Sequence, residues 1–128
     1  MRGRRGAPFS FAAPGLNTVV PSKKAATDMI TEIAQIDVKP GTEKDFEAAV
    51  AKARPLFLRA KGGKGFELHK SIEKPSRYRL MAQWDTLENH TVDFRGSEDF
   101  TAWRALVGQY FAAPPEVEHT ETVVTSAG

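Results

Sequence analysis

Cysteine is absent from the chain. That excludes disulfide staples, thiolate metal sites and a cysteine nucleophile. No apolar run reaches the roughly 18 residues that a membrane-spanning helix needs. No phosphate-binding glycine loop occurs either, because "KGGKG" at 61–65 lacks the strand-to-helix context and spacing of one. There is no Ser-His-Asp signature, and the three histidines, His69, His90 and His119, have no metal-ligand spacing. Acids are missing from residues 1–27, which carry Arg2, Arg4, Arg5, Lys23 and Lys24. The whole chain holds 18 bases and 16 acids, so residues 28–128 hold 13 bases and 16 acids, a net charge of −3. The basicity therefore belongs to the N-terminal segment, and the remainder does not offer the basic face that nucleic acid requires.

What is present suits one domain. The chain has 128 residues, 41% of them hydrophobic and 27% charged. Residues 1–28 are rich in Gly, Pro, Ala and Arg and have no sustained period, the composition of a disordered basic extension. Three readings compete for it: a transit-type presequence, a solvated extension, or a start-site artefact with Met29 as the working start. It lacks the apolar run of a secretory signal. A cytoplasmic location is expected, or an organellar one if the segment is a transit peptide.

Patterned sequence begins at Met29. "MITEIAQIDV" (29–38) alternates, with Ile30, Ala34, Ile36 and Val38 on one face, as a strand does. "KPGT" follows, and Thr42 is a plausible N-cap ahead of Glu43 and Asp45. Phe46, Ala49, Val50, Ala53, Phe57 and Ala60 recur at helical spacing, with Pro55 expected to kink or end the helix. Glycines at 61–65 close it. "FELHKSIEK" (66–74) alternates with Phe66, Leu68 and Ile72 on one face. After a turn at 75–76, "RYRLMAQW" (77–84) puts Tyr78, Leu80, Ala82 and Trp84 together.

Asp85 or Thr86 caps the next helix, with Glu88 at capping-box distance from Asp85 and Leu87, His90 and Phe94 along one side. Ser97 caps a further segment whose stripe is Phe100, Trp103, Leu106, Val107 and Tyr110. "APP" (113–115) ends it, and "EVEHTETVV" (116–124) is a last strand with Val117, His119, Glu121 and Val123 on one face. The order is βαββαβ, an α+β, ferredoxin-like fold with both helices on one face of a four-stranded antiparallel sheet. The domain spans 29–124, with a short tail at 125–128. The other sheet face is expected to bury apolar residues against a second copy, giving a homodimer.

"QWDTLENHTVDFRGSEDFTAWR" and "YFAAPPEVEHTETV" resemble the antibiotic biosynthesis monooxygenase domain family, a branch of the dimeric α+β barrels. The resemblance covers about residues 29–124. It is carried by W-x-x-L-E-N-H, F-R-x-S-x-x-F-x-x-W-R and V-E-H. It implies a dimeric barrel and cofactor-free oxygenation of phenolic polyketides or quinols. Other relatives degrade haem, act in quinone cycling, or have no known activity. Haem degradation is disfavoured: the first strand has no Asn, and "TAWRALVG" has no His to ligate iron.

Such an oxygenase needs a base of near-neutral pKa and a dry aromatic pocket for a flat ring. His90 and His119 are the catalytic candidates, since free imidazole titrates near 6.5. Each has a plain alternative, a ring that fills space and hydrogen-bonds locally. His69 is expected to face solvent or the dimer seam. Trp84, Phe94, Phe100, Trp103 and Tyr110 are the substrate-binding candidates, although aromatics at helical spacing more often form core. Arg95 and Arg104 are expected to pair with Glu88, Asp99 or Glu118. No metal and no cofactor are expected. The partners are a small aromatic substrate, O₂ and a second copy, with no nucleic acid and no membrane. The alternative to an enzyme is a non-catalytic dimeric module that binds a small ligand or only self-associates.

Overall fold

The structure is a computed structural model and describes residues 29–126. The readings of residues 1–28 lie outside the described residues. β1 (Ile30–Asp37) leads into α1 (Glu43–Lys52) and the short α2 (Arg54–Leu58). β2 (Gly63–Lys70) and β3 (Arg77–Trp84) form a hairpin. A π-helical segment (Asn89–Phe94), α3 (Glu98–Val107), a 3₁₀ turn (Gly108–Tyr110) and β4 (Glu116–Glu121) complete the chain. The strands run antiparallel in the order β2-β3-β1-β4, the ferredoxin-like arrangement expected from the element order.

Alternation decides which side chains meet the helices. Ala34, Ile36 and Val38 from β1 and its end, and Tyr78, Leu80, Ala82 and Trp84 from β3, are all buried. They pack with Phe46, Val50 and Phe57 of the first helical pair and Trp103 and Val107 of α3. Phe57 is the hinge of this core, with ring centroids about 5 Å from those of Phe66, Phe94 and Trp103.

Pro55 splits the first helix rather than bending it. α1 stops at Lys52, and Pro55 becomes the second residue of α2, where its missing N–H is one of the donors that lack intrahelical partners anyway. Thr42 stands at the N-cap position, but its hydroxyl donates to the Lys39 carbonyl and caps nothing.

Three expectations need correction. Ile72 is not on the core face of β2. It lies in the hairpin turn and is 92% exposed, because β2 ends at Lys70 and the Ser71 N–H to Arg77 carbonyl bond closes the turn. Val123 is likewise exposed beyond the end of β4. The open sheet face is more polar than expected. Register sets Ile33 opposite Met81, but their neighbours are Thr31, Gln35, Arg79, Gln83 and Glu118. The open-face positions of β1 and β3 are mostly polar in sequence, and they stay polar in the sheet.

Candidate functional site

The same alternation that gives β1 its apolar face puts Glu32 on it, between Ile30 and Ala34. Glu32 is only 5% exposed, and register sets it beside Ala82 of β3 and His119 of β4. A carboxylate cannot stay there without partners. Two are provided. Trp84 Nε1 donates to Glu32 Oε1 at 3.1 Å, and His90 Nε2 lies 3.3 Å from the same oxygen.

His90 is delivered by the turn after β3. Thr86, not Asp85, caps it. The Thr86 N–H donates to Asn89 Oδ1 and the Asn89 N–H to Thr86 Oγ1, both at 3.1 Å, so the reciprocal partner is Asn89 and not Glu88. Past Asn89 the winding widens, with the Arg95 N–H bonded to the His90 carbonyl five residues back. Widened turns of this kind recur at functional sites. Asn89, His90 and Phe94 turn inward while Leu87 is left exposed. The His90 ring is 2% exposed and stacks on Trp84, with centroids 5.1 Å apart and planes 25° from parallel. Its Nδ1 is 2.8 Å from His119 Nε2.

A continuous chain results: Trp84, Glu32, His90, His119. Both nitrogens of His90 are engaged, so His90 has none free to take a proton directly from a ligand. Glu32 Oε2, by contrast, has no protein partner among the described residues. Burial pushes the Glu32 carboxyl up to about 7, against the opposing pull of the Trp84 N–H and the Arg95 charge. Burial, then the positive fields of Arg95 and His119, push His90 down to about 4. His119 is also lowered, by burial first and Arg95 second. A neutral ring carries its proton on one nitrogen only. The chain can therefore hold a proton on Glu32 or pass it through His90 to His119 on the edge strand.

Glu32 and His90 form part of the wall of a cavity of about 700 Å³ between α3 and the sheet. Phe100 and Trp103 line it from α3, and residues 111–115 with Val117 line it as well. Arg95 and Arg104 also stand at it. The expected ion pairs of these arginines do not form among the described residues. Asp99 is held instead by Arg59, through two bonds of 2.8 and 2.6 Å, while Arg104 lies 6.0 Å from the Phe100 ring centroid.

The structure thus joins His90 to His119 and sets Phe100 and Trp103 on the cavity. Trp84 and Phe94 are core residues behind it, and Trp84 meets the site through its indole N–H and its stack on the His90 ring. Tyr110 is not at the cavity. It packs edge-on to Phe46 at 6.5 Å and borders a shallow depression between α1 and α3. His69 points away on the open face, 2.9 Å from Glu67. Glu32 escaped the sequence reading. Its one signal is an acid at an inward position of an otherwise apolar strand face.

Comparison with known proteins accords with this architecture. The sequence pattern of the antibiotic biosynthesis monooxygenases matches residues 29–106. The uncharacterized protein YczJ of Bacillus subtilis is 38% identical over 95 residues, which are 74% of this chain and 100% of that protein. A Bordetella bronchiseptica crystal structure assigned to the antibiotic biosynthesis monooxygenases is 59% identical, with a TM-score of 0.75 over 76% of this chain and 99% of that one. SnoaB, a cofactor-independent oxygenase from Streptomyces nogalater, shares the fold at 17% identity, with a TM-score of 0.67 over 79% of this chain and 99% of its own.

Proposed function

Since the chain belongs to the antibiotic biosynthesis monooxygenase family, we propose that it is a cofactor-independent monooxygenase of small phenolic or quinol substrates, with Glu32 as the base. The observation that carries this reading is the buried Glu32–His90–His119 chain in the wall of an aromatic cavity. A base is most effective when its pKa is near the working pH, and burial brings the Glu32 carboxyl to about 7. The arrangement supports the following sequence. Ionised Glu32 takes the hydroxyl proton of the substrate at Oε2. The phenolate gives one electron to O₂, and the radical pair recombines at a ring carbon to a hydroperoxide anion. Glu32 returns the proton, and loss of water leaves the quinone. Overall, phenol and O₂ become quinone and water. His90 and His119 hold Glu32 in place and exchange its proton with solvent.

The homodimer belongs to this proposal too. The facing pair Ile33 and Met81 on the open sheet face is its local support. No described helix is long and apolar enough to cross a membrane, and a cytoplasmic location is proposed with the function. A module that only self-associates has no use for an open cavity of this size.

Oxygen uptake with a panel of phenols, naphthols and hydroquinones tests the reading. Turnover is expected with at least one, and Glu32→Gln should lower kcat by about 10²–10⁴. No oxygen consumption across the panel, or full activity in Glu32→Gln, overturns it.

A further inference from the structure

The two arginines at the cavity are not explained by base catalysis, which needs only the carboxyl and a dry ring site. Arg95 and Arg104 both line the cavity, and neither makes a close ion pair among the described residues, although the Arg95 charge is felt by Glu32. Acids are not scarce: residues 28–128 hold more acids than bases. Arg59 is paired with Asp99 and Arg77 with Asp37, while Arg79 donates to the Gln35 amide oxygen. In this cavity two guanidinium groups without a close carboxylate stand beside aromatic walls.

Their placement is specific. Arg104 is one residue beyond Trp103 on α3, and its guanidinium lies 6.0 Å from the Phe100 ring centroid, which keeps it by the wall. Arg95 follows the π-helical segment that carries His90, and its charge acts on Glu32, His90 and His119. Phe100 and Trp103 supply flat apolar surface to the same cavity. A planar guanidinium pairs bidentately with a carboxylate.

We propose that the cavity takes aromatic acids, with the ring against Phe100 and Trp103 and the carboxylate held by Arg95 and Arg104. The inference rests on the oxygenase reading and names its substrate class, a hydroxylated aromatic carboxylate. The carboxylate end is fixed by the arginines, which leaves the hydroxyl-bearing edge of the ring for Glu32.

Calorimetric titration of the full chain with 2,5-dihydroxybenzoate and with its methyl ester tests this, beside oxygen uptake on both. The acid should bind at least about 10-fold more tightly than the ester, the size of one good charged hydrogen bond. Arg95→Gln and Arg104→Gln should each reduce that preference several-fold. Arg79→Gln, on the opposite sheet face, should not alter it. Equal binding of acid and ester with oxygen uptake on both overturns the inference alone and leaves the oxygenase reading standing. Preference for the acid without oxygen uptake upholds the inference, and the oxygenase reading falls with it only when the whole panel of phenols, naphthols and hydroquinones also gives no uptake. Binding of neither, or a preference that survives the double arginine variant, overturns the inference.

Discussion

Burial raises the Glu32 carboxyl and lowers the His90 imidazole, so folding is expected to move a proton from His90 to Glu32, which can be measured. In the unfolded chain a carboxyl titrates near 4.5 and an imidazole near 6.5, so between those values the pair holds one proton, on the imidazole. In the fold His90 has fallen to about 4 and Glu32 has risen to about 7, so the pair again holds one proton, now on the carboxyl. Equal proton counts mean no linkage from this pair over that window. Each partner alone would show a large one. Raised Glu32 gives stability present at low pH and lost as pH rises from about 4.5 to about 7. Lowered His90 does the reverse, withholding stability below about 4 and restoring it by about 6.5. Each displacement, at about 1.4 kcal/mol per pH unit, amounts to about 3 kcal/mol. Such a term is a large part of a typical domain's 5–15 kcal/mol.

Glu32→Gln removes one side of the balance while keeping an oxygen for the Trp84 N–H. Urea denaturation of both proteins from pH 4 to 7.5 should show the variant gaining about 3 kcal/mol relative to the wild type as pH rises. Groups common to both proteins cancel in the difference. The His90→Asn variant should move the opposite way. Ring ¹⁵N shifts of the wild type at pH 5.5 should report a neutral His90. Parallel stability curves for wild type and Glu32→Gln, or an imidazolium at His90 in those spectra, would refute the proton transfer.

Other consequences are as specific. A Cβ at Gly62 would collide with the Asn89 side chain, and the residue's φ of +73° is strained for any L side chain. Gly62→Ala should therefore cost about 2–4 kcal/mol in thermal melts, whereas Gly41→Ala, at φ +92° with open space around it, should cost only about 1 kcal/mol. Equal losses at the two positions would mean that the Asn89 contact is unimportant. Trp84→Phe removes the one N–H that favours ionised Glu32, so the acid limb of the pH–rate profile should shift to higher pH; an unmoved limb would separate Trp84 from the base. Met81→Glu should convert a micromolar homodimer to monomer in light scattering, and a wild type that scatters as monomer would end the dimer proposal.

The fold was legible because both periods were clean. β3 runs over the residues that its alternation marked, 77–84, and Ser97 caps α3 by accepting the Phe100 N–H. What was not legible depends on winding and distance. No spacing rule shows that the helix of His90 opens into π-type turns, which bring Asn89 inward and leave Leu87 out. Nor does periodicity distinguish a side chain that lines a cavity from one that fills the core beneath it. Trp84 and Phe94 look like pocket residues in sequence and pack as core, and His90→Ala would accordingly lose buried packing as well as chemistry.

The site itself is a coincidence of two exceptions. Glu32 breaks the apolar face of β1, and His119 breaks the face that Val117 begins on β4. Taken singly, each is a polar residue in a strand, with many ordinary explanations. The sheet makes them neighbours, because β1 and β4 come together only through the long-range order β2-β3-β1-β4, and the register sets residue 32 opposite residue 119. His90 then arrives from a third element to lie within reach of both, 3.3 Å from one and 2.8 Å from the other. One misplaced polar side chain would only weaken a core. Three that complete one another's hydrogen bonds, with a free carboxyl oxygen left over beside a cavity, form a site that stability alone does not require.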